Sequence, residues 1–61
     1  SYLLRELQGY QKQAISELSD WQTNCAEDSE AVGLFDRVIH TTKDHLKQTE
    51  SLVSTASTDL S

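Results

Sequence analysis

The apolar residues of this chain keep a seven-residue period from Leu4 to Leu60 without insertion or deletion. Written as a heptad from Leu4, the a positions are Leu4, Gln11, Leu18, Cys25, Val32, Ile39, Leu46, Val53 and Leu60. The d positions are Leu7, Ala14, Trp21, Asp28, Phe35, Thr42, Thr49 and Ala56. Thirteen of these seventeen positions are apolar, against nine of the remaining forty-four, so the stripe is not an accident of composition. Alternation with period two is nowhere sustained, proline is absent, and glycine occurs only at Gly9 and Gly33. The pattern predicts an all-α fold. A stripe held at 3.5-residue spacing drifts round a straight helix, so it also predicts coiled-coil character, with helices wound together or gathered into a bundle.

Residues 19 to 36, SDWQTNCAEDSEAVGLFD, decide how many helices the chain makes. In the first reading the helix runs through them unbroken, because Trp21, Cys25, Val32 and Phe35 keep the heptad in phase and a turn has no reason to do so. Such a helix would be roughly 90 Å long. The alternative is a two-helix hairpin with its turn near residues 24–29, in which Asp28 or Ser29 caps the second helix and Glu30 lies in its first turn. The unbroken phase favours the first reading. Asp28 is then the single charged lapse in the stripe. Residues 51–61 hold six Ser or Thr, which compete for backbone hydrogen bonds and predict a frayed end.

The d column mixes the large Trp21 and Phe35 with the small Ala14 and Ala56 and the polar Asp28, Thr42 and Thr49. In a parallel, in-register pair Asp28 would face Asp28, which is costly unless solvated. An antiparallel arrangement lets large residues face small ones. One such register sets Ala14 against Leu46, Trp21 against Ile39 and Cys25 against Phe35. Further apolar residues flank the stripe, with Leu3, Tyr10, Ala31, Val38 and Leu52 at g and Ile15 at e. That width exceeds a two-helix seam and suits three or four helices, such as two antiparallel pairs. The expected oligomer is therefore a homotetramer or an antiparallel dimer.

Sixty-one residues lie near the lower limit for a self-supporting domain, and help from oligomerisation is expected. The lone cysteine, Cys25, excludes an internal disulfide and leans toward a reducing, cytoplasmic compartment. No apolar run reaches the roughly 18 residues of a membrane span. The start at Ser1 and the Ser/Thr-rich end are expected of a single coiled-coil segment, residues 1–61, taken from a longer protein. Ten acidic residues against five basic ones give a net charge of -5, which disfavours nucleic acid and anionic lipid. The imbalance is local. Glu17, Asp20, Glu27, Asp28, Glu30 and Asp36 stand in a stretch without lysine or arginine, whereas Arg5, Lys12, Arg37, Lys43 and Lys47 lie outside it.

Candidate chemistry is thin. Cys25, His40 and His45 could suggest a thiol nucleophile with a base, but on one helix they stand roughly 22 to 30 Å apart, and neither an orienting group nor an oxyanion site accompanies them. Asp36, His40 and Asp44 have the i, i+4, i+8 spacing that can ligate a divalent metal, which is also ordinary surface decoration of a helix. No glycine-rich phosphate loop or zinc-finger spacing is present. No enzyme activity, cofactor, metal or small-molecule substrate is expected.

The expected function is assembly: an oligomerisation or stalk segment joining copies of a larger protein, of the architectural kind found in cytoskeletal stalks and filaments. Its interface would comprise Leu4, Leu7, Ala14, Leu18, Trp21, Cys25, Val32, Phe35, Ile39, Leu46 and Val53. Gln11, Asp28, Thr42 and Thr49 would be the polar core positions that set register. The rival reading, of a different class, is a helical-hairpin recognition module that binds a basic partner through its acidic face.

Overall fold

In the computed structural model, which describes residues 2–60 and the side chains of residues 2–56, the chain folds as an antiparallel helical hairpin. Helix α1 spans Tyr2–Asn24 and helix α2 spans Ser29–Leu60. The molecule measures 50 × 14 × 10 Å between Cα atoms. Among the described residues there is no strand.

Both helices have local support. Tyr2 Oη donates to Glu6 Oε1 and Gln13 Nε2 to Glu17 Oε1, each one turn apart, the spacing at which helical side chains meet. Threonines, poor helix formers when their hydroxyls compete for the backbone, bond back one turn instead. Thr41, Thr42, Thr49 and Thr55 donate to the carbonyls of Arg37, Val38, His45 and Ser51. Helix α2 continues to Leu60 through the Ser/Thr-rich end. Ser61 lies outside the described residues.

Of the two readings of residues 19–36, the hairpin is the one adopted, and the unbroken 90 Å helix is not. Helix α1 closes on a shared bond, Cys25 N–H reaching the carbonyls of Trp21 at 3.0 Å and Gln22 at 3.2 Å. The chain tightens into three-residue bonds, from Ala26 N–H to Thr23 O and from Asp28 N–H to Cys25 O. Helix α2 then opens on Asp28. Its carbonyl accepts from Val32 N–H at 2.9 Å, and its side-chain Oδ1 accepts from Ala31 N–H at 3.1 Å. That is an N-cap, which satisfies a backbone donor the helix cannot. No described residue takes a positive φ, so the turn needs no glycine.

The a column keeps its phase through this turn, but the second column of the stripe does not. Helix α2 half-buries the expected a and d residues Val32, Phe35, Thr42, Leu46, Val53 and Ala56, and buries Ile39, 5% exposed, and Thr49, 4% exposed. Helix α1 half-buries the a and e positions Leu4, Gln8, Gln11, Ile15, Leu18, Gln22 and, at the turn, Cys25, together with Ala14 alone of its d positions. Its seam is rotated by about 50° from the a/d stripe, at 3.6 residues per turn. Two of the d residues are consequently left outside: Leu7 is 45% exposed and Trp21 59%. Gln22 Nε2 donates to the Val32 carbonyl at 3.1 Å across the seam. Antiparallel packing is thus realised within one chain, in a register set by the short turn rather than by the pairing of Cys25 with Phe35.

Candidate interaction surface

Rotating α1 by 50° divides its apolar residues between two surfaces. Leu4, Ala14, Ile15 and Leu18 go into the seam, while Leu3, Leu7, Tyr10 and Trp21 remain on one outer side and Tyr2 on the other. On α2 the large apolar residues left outside are Leu34, Val38 and Leu52. These two outer stripes share a face. In a pair of antiparallel right-handed helices, positions displaced in the same rotational sense from the seam emerge on the same side. The α1 stripe at d and g and the α2 stripe at g and c are displaced in that same sense. Leu18, Ala31, Leu34, Phe35 and Val38 line a groove of ≈ 250 Å³ on this side with no polar wall.

The opposite face is polar. Lys12, His40, Lys43, Asp44, Lys47 and Glu50 line its groove, with Ile15 and Leu46 on the floor. Arg5 stands two turns before Lys12, on the same face by its seven-residue spacing. His40 Nδ1 lies 2.8 Å from the Asp36 carbonyl and 3.5 Å from Asp36 Oδ2, on an exposed surface.

The acidic stretch folds back on itself. Glu17, Asp20, Glu27, Asp28, Glu30 and Asp36 are all exposed, and the hairpin gathers them at the end that carries the turn.

Within the seam the polar residues are treated unequally. The Thr42 and Thr49 hydroxyls are satisfied by their own helix. Gln22 bridges to α2. Gln11 is the exception, since its buried Oε1 has no hydrogen-bond partner. Asp28 is not a core residue at all but the cap of α2.

The chemical candidates do not converge. Cys25 sits in the turn, half-buried, while His40 and His45 lie roughly 16 and 24 Å along α2 from its start at 1.5 Å per residue. His40 lines the polar groove, whereas His45, at g, belongs to the side of Val38. Among the described residues no group of three or more His, Cys, Asp and Glu is placed to hold a metal ion. Asp36 and His40 meet, and Asp44 does not complete a set with them. No helix among the described residues is long and apolar enough to cross a membrane.

The two-sided division of α1 was not read from the sequence, although Leu3 and Tyr10 at g and Ile15 at e were signals of it. Compared with known protein families, curated proteins and solved structures, the chain matches none.

Proposed function

We propose that the hairpin is an assembly module, in which copies of the chain pack their apolar faces together into a bundle of four helices. In a larger protein such a bundle would join copies and fix their spacing and polarity. One observation carries the reading: of the eight large apolar residues that stay exposed, Leu3, Leu7, Tyr10, Trp21, Leu34, Val38 and Leu52 lie on a single side, and Tyr2 alone lies on the other. Scattered surface hydrophobics need no explanation, but a one-sided apolar face on a soluble helix pair marks a contact. Energetics support the same reading. Among the described residues Ile39 is the one buried apolar side chain, and still 5% exposed, and a two-helix unit this small gains little from so slight a core. Burying a large side chain fully contributes roughly 1.5 to 3 kcal/mol, and seven candidates await cover.

The test compares substitutions on the two faces by light scattering. Trp21→Asp and Val38→Asp should each lower the particle mass toward 6.9 kDa, while Lys43→Gln, on the polar face, should leave the mass of the assembly unchanged. Equal behaviour of the two sets would overturn the reading.

The acidic end supports a second reading. Its gathering of carboxylates suits a basic peptide as partner. Retention of an oligolysine peptide at physiological salt, lost on Glu27→Gln with Glu30→Gln, would favour it. No retention would remove it.

A further inference from the structure

Resting on the assembly reading, we propose that the partner is a second copy laid antiparallel, the turn of each hairpin lying beside the open end of the other. Two arrangements bring the apolar faces together: turns at the same end or turns at opposite ends. Charge separates them. The turn end carries six carboxylates and no lysine or arginine, and the rest of the chain holds five cationic and four anionic residues. Turns at the same end would lay the two six-carboxylate clusters against each other across an interhelical spacing of about 8 to 10 Å, close to the Debye length of about 8 Å at physiological ionic strength. Turns at opposite ends separate the centres of the two clusters by about 30 Å, well outside that range.

The placement of the stripes agrees. On α1 the apolar stripe runs from Leu3 to Trp21, centred near Lys12, and on α2 from Ala31 to Leu52, centred near Thr42. The bond from Gln22 to Val32 fixes a register in which Lys12 and Thr42 are level. Both stripes are therefore centred at one height, and a two-fold axis at that height maps each onto itself. It brings Trp21 to Leu3 of the second copy, Tyr10 to Ala14, and Leu52 to Ala31. Large residues meet small ones in the last two of these pairs, as close packing prefers.

Nitroxide labels at Thr23→Cys in a Cys25→Ala background, measured by pulsed electron spin resonance alongside light scattering, test this directly. Thr23 is exposed and lies one residue from the end of α1. A dimer with label separations near 35 Å is expected. A dimer with separations under about 20 Å, the width of a bundle, would overturn the orientation while leaving self-association intact. A monomer for both labelled and unlabelled chain would overturn the assembly reading and the orientation with it. To guard against damage from the substitutions, Ser19→Cys in the same background should report a distance shorter by about 12 Å, because it lies four residues nearer the axis. Equal distances at the two sites would also contradict the antiparallel arrangement.

Discussion

Gln22 reaches across the seam to the backbone of Val32, its Nε2 donating to that carbonyl at 3.1 Å. It is the bond that ties the last turn of α1 to the first turn of α2. A partly buried hydrogen bond of this kind contributes about 1 kcal/mol net. Gln22→Ala should lower stability by about that amount in a urea titration and hasten amide exchange in residues 25–32. Unchanged exchange there would show that the turn holds without it.

Asp28 acts on the same turn from the other side, through its bond to Ala31 N–H. Replacing an N-cap aspartate by alanine costs about 1 kcal/mol, within a range of roughly 0.5 to 2. Asp28→Ala should show that loss and Asp28→Asn much less, since asparagine caps nearly as well. If Asp28→Ala instead raised stability, the residue would be a tolerated lapse in a continuous stripe, as in the unbroken-helix reading.

Gln11 presents the opposite case, a buried Oε1 without a partner. A polar atom left unsatisfied away from water costs about 1 to 3 kcal/mol. Gln11→Leu should therefore raise the urea midpoint. A polar residue in a helical seam can also hold a single register at the expense of stability. Should Gln11→Leu broaden the distribution of particle masses while raising the midpoint, that second role would belong to it as well.

Gly33 lies within α2 with ordinary helical φ, and a Cβ added there meets nothing within 4 Å. Gly33→Ala should stabilise the chain by about 0.5 to 1 kcal/mol, the difference in helix propensity. A loss of stability would mean that a neighbouring helix approaches the backbone at this point.

Much of the hairpin was legible beforehand, and the remainder failed for an identifiable reason. Helicity followed from the period and from the absence of proline, and the a residues Leu4, Leu18, Val32, Ile39 and Leu46 do turn inward on both helices, toward the other helix of their own chain. The cap at Asp28 was legible too, as the weaker of two alternatives. What misled was the persistence of phase. A period of seven places Leu7 and Trp21 in line with Phe35, yet the turn is closed by local hydrogen bonds at Cys25 and Asp28 that take no account of that alignment. Helix α1 could then bury either of two overlapping stripes, and its own chain is served by the one containing Gln8, Ile15 and Gln22. A one-dimensional pattern records that two apolar stripes exist. It does not record which of them a helix shows to its own chain and which it leaves for another.

Cover of the second stripe by another copy, as proposed above, makes the mass of the particle depend on concentration. Sedimentation equilibrium of the unmodified chain over a hundredfold range of concentration measures this with no substitution at all. The expected result is a mass rising to twice the 6.9 kDa of the chain, accompanied by a thermal midpoint that climbs with concentration, as mass action requires of a coupled dimer. A mass fixed at 6.9 kDa throughout, with a concentration-independent midpoint, would contradict it.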